Sequence, residues 1–182
     1  FQCNLFDSDA TERLITNVRK KFSGLSLLIN AASIFENSTL RNSSLKNLEK
    51  NFTVHLKAPY ILTKEFARIC KKGLIINFLD THVTDAKTNH FDYLLSKKAL
   101  GALTEHSALD LAPQIRVNAI APGFILPPEK HQTPTYLKRL AQSIPLKRQG
   151  DPKNIVQAVE YLITNDYVTG QVLFVDGGEH LI

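Results

Sequence analysis

Residues 73–80 read Gly73-Leu74-Ile75-Ile76-Asn77-Phe78-Leu79-Asp80: a glycine, an apolar run interrupted only by Asn77, then a carboxylate. A short apolar run bounded in this way is the pattern of a strand buried on both faces. The pattern recurs on either side. Upstream, Leu25 to Ile29 is a shorter apolar run, and Phe1 to Leu5 reads as the end of another strand. Downstream, Ile115 to Ile120 is a strand that Ala121-Pro122-Gly123 breaks, and Gln171 to Val175 is the last, closed by Gly177-Gly178.

Helical patterns fill the intervals. Asp9 and Glu12 have capping-box spacing, Leu14, Ile15, Val18 and Phe22 share a face, and Gly24 ends that helix. Asn37 to Ser44 is a polar loop. Leu45, Leu48 and Phe52 begin a stripe that continues through Leu56 towards Cys70, with a kink expected near Pro59. Residues 80–91 read as loop, and a long helix runs from about Asp92 to Leu111, before Pro113. The proline-rich residues 127–135 read as loop, and Tyr136 to Gln142 as a short helix. Asp151-Pro152 is an N-cap followed by proline at the first helical position, opening a helix to Ile163. Strands alternating with helices imply an α/β fold: a doubly wound parallel sheet covered on both faces, in one domain spanning residues 1–182. Ligands of such sheets sit beyond the carboxyl ends of the strands. That singles out Asn30 to Phe35, Asp80, and Pro122 to Leu126.

Composition narrows the classes. The 182 residues are 43% hydrophobic and 21% charged, a globular balance without repeats or low-complexity tracts. No run is long and apolar enough to span a bilayer, and no secretory leader is visible, so no membrane association is expected. Cys3 and Cys70 are the only cysteines, which suits a reducing, cytoplasmic setting. Lys and Arg exceed Asp and Glu by 22 − 17 = 5, but as scattered pairs such as Lys71-Lys72 and Lys147-Arg148. Solvated helix faces explain these better than a nucleic-acid surface. The six histidines contain no His-x-x-x-His pair, so no metal site is indicated. The chain starts at Phe1 and has no methionine and 8 glycines. Together these predict a polypeptide whose front part lies upstream.

The chemistry gathers around Tyr93 and Lys97. Spaced i, i+4 at the start of a helix, they reach one ligand, and a lysine beside a phenol favours phenolate. Such a pair on its own is also found on ordinary amphipathic helices. What gives it weight is the order around it: a strand ending in Asp80 thirteen residues before Tyr93, and Arg116-Val117-Asn118-Ala119-Ile120-Ala121-Pro122-Gly123 after it.

In this order the chain resembles the short-chain dehydrogenases/reductases. Leu27-Leu28-Ile29-Asn30-Ala31-Ala32 is similar to that family's Asn-Asn-Ala-Gly strand end, Tyr93-x-x-x-Lys97 to its catalytic pair, and Arg116 to Gly123 to its Arg-Val-Asn-x-x-x-Pro-Gly segment. Thr169-Gly170-Gln171 with Val175-Asp176-Gly177-Gly178 is similar to its C-terminal signature. Within the family the pteridine reductases, bacterial ones above all, fit best. Asp80 stands where most members carry serine, and Ser33 with Phe35 resembles an Asn-Ala-Ser-x-Phe strand end. Ala121 to Glu129 and Ile144-Pro145-Leu146-Lys147-Arg148 add to that likeness.

The resemblance implies a Rossmann-like reductase that uses NADPH to reduce a pterin or folate substrate. It implies Asp80, Tyr93 and Lys97 as catalytic residues, with Tyr93 as proton donor. The cofactor would be held by Asn4, Leu5, Asn30, Ala31, Ala32, Ser33, Tyr93, Lys97, Pro122, Gly123 and Ile125. The substrate would meet Ser33, Phe35, Asp80 and Tyr93, with Phe35 stacked on the ring. The family also implies a homotetramer built on the long helices. Three positions depart from its pattern: Ala31 replaces a second asparagine, Asn4 an aspartate facing adenine, and His55 a helix asparagine of a proton relay. Histidine can itself relay protons or can simply be a packed helix residue. Nothing resembles the glycine-rich turn that holds the pyrophosphate, so the resemblance implies a sheet lacking its first strand-turn-helix-strand. Residues 1–182 alone are then expected to bind NADPH poorly and to aggregate. Two other readings stand beside this one: a reductase of ketones or 3-oxoacyl substrates, and a non-catalytic Rossmann-like fragment serving as a binding module.

Overall fold

The structure is a computed structural model, and it describes residues 1–126 and 133–182. Four strands form one sheet in the order β1 (Leu27–Asn30), β2 (Gly73–Phe78), β3 (Ile115–Pro122), β4 (Val172–Val175). Every neighbouring pair is parallel, with Asn30 beside Asn77, Asn77 beside Ala119, and Pro122 beside Val175. All the carboxyl ends therefore open on one rim. The doubly wound α/β arrangement expected from the alternating pattern is the fold observed.

Alternation along the strands sorts the core into two layers. Ile75 and Val117 pack with Leu62, Phe66 and Ala108 from helices α3 (Ala58–Cys70) and α4 (Phe91–Asp110), joined by Ile15 of α1 (Ser8–Lys21). Leu74, Ile76 and Ile120 face the other way, onto Ala158 and Leu162 of a later helix, Pro152–Thr164. Ala119 and Ala121 meet Leu79 and Leu100 beside the carboxyl-end rim. Phe66, Ile75, Ile76, Val117 and Ile120 are all fully buried. Each such side chain contributes about 1.5–3 kcal/mol relative to exposure.

Local chemistry sets the element ends. The first helix is capped by Asp7, whose carboxylate accepts from Ala10 N at 2.9 Å, not by the expected Asp9. Asp9 instead sits in the first turn and Arg19, Lys20 and Lys21 in the last, each at its favourable end of the helix dipole. Phe22 caps the other end and is exposed, so it is not part of the buried stripe. Phe1 to Leu5 is not a strand: β1 is an edge of the sheet and, among the described residues, no strand pairs with this segment, though Leu5 packs on the core.

The long helical stripe resolves into α2 (Leu45–Phe52), a π-helical segment (Thr53–Lys57) and α3. Pro59 lacks an N–H, and in an unbroken α-helix its ring would press on the His55 carbonyl four residues earlier. The backbone relieves this by widening, with Ala58 N bonded to Thr53 O across five residues. The expected kink is thus a local π turn placed just before the proline. Of the proline-rich stretch 127–135, residues 127–132, including Pro127-Pro128-Glu129, lie outside the described residues. Thr133 caps the following helix, α5 (Pro134–Ser143), which starts two residues earlier than expected. In α6 (Pro152–Thr164), the Asp151 cap and Pro152 start stand as expected, with Asn154 completing a capping box. No helix among the described residues is long and apolar enough to cross a membrane.

Candidate active site

The rim brings three of the candidate residues together. β2 ends at Phe78 and delivers Asp80 to the cap of a short 3-10 turn, Thr81–Val83, where its Oδ1 accepts from His82 N at 2.8 Å. Its other oxygen, Oδ2, accepts from the Tyr93 hydroxyl at 2.9 Å. Lys97, one turn further along α4, donates to Phe78 O at 2.6 Å, and its ammonium lies 5.7 Å from the Tyr93 ring centre.

Helix α4 is anchored at its start. The buried Asp92 accepts from Asn47 at 2.5 Å and from Ser43, while its own N–H bonds Ser38 Oγ at 3.2 Å. The carboxylate thereby ties the beginning of α2 to the turn that carries Tyr93.

Burial decides the electrostatics. Tyr93 is 7% exposed and Lys97 3%. Burial, and after it the Asp80 carboxylate, push the Tyr93 phenol up from its usual range, so it stays protonated. The phenolate expected beside Lys97 is not favoured in this arrangement: the hydroxyl faces an acceptor, while the ammonium gives one N–H to a carbonyl and lies over the ring face. Burial pulls Lys97 down to about 8, against a smaller upward pull from Asp80.

The other candidates divide. Asn30 is buried and donates to Asn77 Oδ1 at 2.8 Å, and Asn77 donates in turn to Thr104 at 2.9 Å. The Asn30 side-chain amide is thereby tied into the interior network. Ala31, Ala32 and Ser33 follow as exposed small residues. Asn4 closes an Asx turn on Phe6 N at 3.1 Å, away from the Tyr93 cluster in sequence and in partners. Leu5 lines an apolar groove of about 430 Å³ along the open edge of β1, with Ala31 and Ala32 at its end. Pro122 closes the β3–β4 ladder. Gly123 has no room for a side chain: an added Cβ would lie 2.6 Å from Asp176 Cβ and 2.7 Å from Glu179 Oε2. Ile125 is held by Gln149, which donates to its carbonyl at 2.6 Å. Phe35 is 61% exposed and stacks on His90 at 4.0 Å, with its ring edge-on to Tyr93 at 4.8 Å.

Sequence reasoning missed four polar supports: Asn77, Ser96, His90 and Asp176. The buried Asp176 accepts from Thr81 Oγ1 at 2.5 Å, from Gly178 N at 2.9 Å and from His180 Nδ1 at 2.7 Å. Burial pushes its carboxyl up, but these donors outweigh that and hold it below the usual range. It clamps the turn that carries Asp80 to the C-terminal segment. A polar residue inside an apolar strand, as Asn77 is, was the one readable signal among them.

His55 is 1% exposed, and burial, aided by the Lys97 charge, lowers it from 6.5 to about 3. Above pH 6.5 both folded and unfolded histidine are neutral, so the group has no effect on stability there. As pH falls, the unfolded chain takes up a proton that the folded one refuses, and stability is lost down to about 3. At about pH 5 the expected loss relative to neutral pH is about 1–2 kcal/mol, absent from His55→Gln. Urea midpoints of the two proteins at both pH values check this, and equal acid slopes would refute it.

Comparisons with known proteins give the chain its relatives. Residues 1–180 match the model of a family described as enoyl-(acyl carrier protein) reductase. Dihydromonapterin reductase of Enterobacter sp. is 31% identical over 99% of this chain and 77% of its own length. 3-Oxoacyl-[acyl-carrier-protein] reductase of Thermotoga maritima is 31% identical over 96% of this chain and 74% of its own. FolM alternative dihydrofolate reductase 1 from Brucella suis, solved in complex with NADP, superposes with a TM-score of 0.92 at 34% identity, covering 100% of this chain and 74% of that one.

Proposed function

The chain belongs to the short-chain dehydrogenase/reductase family, and on that footing we propose that it reduces a dihydropterin or dihydrofolate-type ring with NADPH. The observation that carries this reading is the 2.9 Å bond from the Tyr93 hydroxyl to the Asp80 carboxylate. A serine at that position would suit the single oxygen of a ketone. A carboxylate suits the amino and imino N–H groups along a pterin edge. The relatives named for dihydromonapterin and dihydrofolate reduction support the same choice.

The residues present fit the cofactor. Lys97 is a buried ammonium with three donors, one of them engaged at 2.6 Å on Phe78 O, which leaves N–H groups suited to a ribose diol. Ala31 and Ala32 follow the β1 end as small, exposed residues, and Pro122 and Gly123 stand at the end of β3 on the same rim, with Ile125 next in the chain. NADPH, when bound, supplies the hydride to a ring carbon.

Tyr93 supplies the proton to the ring nitrogen, which its raised pKa reserves for the moment of transfer. The phenolate so formed lies beside the Lys97 ammonium and the Ser33 hydroxyl, both of which stabilise it. Asp80 orients the phenol and the pterin edge, and being only half-buried it can pass a proton from solvent back to Tyr93. Phe35 covers a face of the ring. By the same resemblance the reading extends to a homotetramer built on the long helices.

The test is NADPH oxidation with a dihydropterin and with an acetoacetyl thioester. Faster turnover of the thioester would favour a 3-oxoacyl reductase, as in the Thermotoga relative. Asp80→Ser is expected to cost about 10–100-fold on the dihydropterin and far less on the thioester. Equal losses on both substrates would remove the specificity argument.

A further inference from the structure

The mechanism above leaves one buried ionisable group next to the reacting phenol without a task. His55, in the π-helical segment, meets the Tyr93 ring edge-on at 5.3 Å, and both of its ring nitrogens are engaged. The Ser96 hydroxyl has one proton and gives it to Tyr93 O at 2.7 Å, so at 2.8 Å it can only accept from His55 Nδ1. Ile34 N–H can only donate, and it points at Nε2 from 3.1 Å. Ser33 Oγ approaches the same nitrogen at 3.0 Å and is the second donor there. Hydrogen-bond arithmetic thus leaves one state: a neutral imidazole with its proton on Nδ1. A proton on Nε2 would confront Ile34 N–H directly. The charged groups facing this pocket are Lys97, whose ammonium opposes a second cation, and the Asp80–Tyr93 pair beyond the phenol ring.

We propose that His55 is a positioning residue for the substrate: it ties the Ser33–Ile34 lip of β1 to the helix carrying Tyr93 and Lys97, and it moves no proton. Two consecutive residues of the lip depend on Nε2, and the catalytic helix depends on Nδ1. Because Ile34 N–H satisfies Nε2 by itself, the Ser33 hydroxyl is free to swing towards Tyr93 once the phenol has given up its proton.

The kinetic arm of the test rests on the pterin-reductase reading; the spectroscopic arm does not. Asparagine places its amide nitrogen where Nδ1 stands, and glutamine extends its amide oxygen to the place of Nε2. His55→Asn therefore keeps the bond to Ser96 and releases the lip. His55→Gln keeps the lip and releases Ser96. The dihydropterin KM is expected to rise about tenfold in His55→Asn, with kcat within about threefold, and to stay near its original value in His55→Gln. An unchanged KM in His55→Asn, equal rises in both variants, or a kcat above the original in His55→Asn would each overturn the proposal. In the 15N-histidine NMR spectrum of the unsubstituted protein, the signal lost in His55→Gln should show a protonated Nδ1 and a bare Nε2 from about pH 6 to 8. A proton on Nε2 in that range would overturn it irrespective of any kinetics. If dihydropterin is not turned over at all, the pterin reading falls, and the tautomer decides the His55 assignment alone.

Discussion

Replacing Tyr93 by phenylalanine is expected to cut turnover at least about a hundredfold, the usual scale for loss of a general acid. The substitution removes one oxygen and keeps the ring, so the edge contacts with Phe35 and His55 survive. What disappears is the only proton that sits between a buried ring and the Asp80 carboxylate, 2.9 Å away. NADPH binding should change little, because Lys97 keeps its bond to Phe78 O. Steady-state turnover and a fluorescence titration of NADPH separate the two effects. A variant with near-normal turnover would show that another group donates the proton.

Lys97→Met is expected to do two opposite things. Its pKa of about 8, against 10.5, means that burial disfavours the ammonium by roughly 3 kcal/mol. Between about 8 and 10.5 the unfolded chain binds a proton that the folded chain has shed, so stability rises with pH across that window. Below about 8 the full cost stands. At neutral pH methionine removes this cost and forfeits the bond to Phe78 O, for a net gain of about 1–2 kcal/mol. The same change removes the ammonium proposed to hold the ribose and the charge beside the phenol, and turnover should fall by about 10²–10⁴. Thermal melts at pH 7 and pH 10 check the first part: the advantage of the variant should shrink at the higher pH. A less stable variant at pH 7 would mean that the ammonium is better solvated than its 3% exposure implies.

The strands and the juxtaposition of Asp80, Tyr93 and Lys97 were legible because their signals are local. Leu74 to Leu79 could only be a buried strand, and the spacing of Tyr93 and Lys97 put both on one helix face. The 3-10 turn that aims Asp80 was read simply as loop, since three residues leave no periodicity. The π segment was hidden because apolar residues keep their spacing through it; Pro59 marked the place but not the form of the disturbance. Ser96 and Asp176 stayed invisible for another reason, and Asn77 showed only as a polar break in an apolar strand. Each is a common polar residue whose meaning lies in a partner distant in the chain: Thr104 for Asn77, His55 for Ser96, Thr81 for Asp176. Asn30 shows the converse. Its place at a strand end pointed outward to a ligand, while its side chain turned inward to complete the Asn77 network.

The π turn at Thr53–Lys57 also bears on how such a chain can be edited. A widened turn holds one residue more than an α-helix would over the same rise, and each residue in a regular helix advances about 100°. Because the surplus residue is taken up inside the turn, deleting one residue here would let the turn close into a regular helix with α2 and α3 keeping their present facing. The loss would be local: the Pro59 ring would press on the carbonyl four residues before it, and His55 would shift from the place where it meets Ile34 and Ser96. A straight helix from another protein could therefore carry α2 to Asp92 and α3 to the core, but not this bridge. Grafts or chimeras that are to keep it should be joined outside residues 45–70, in the loops that flank them.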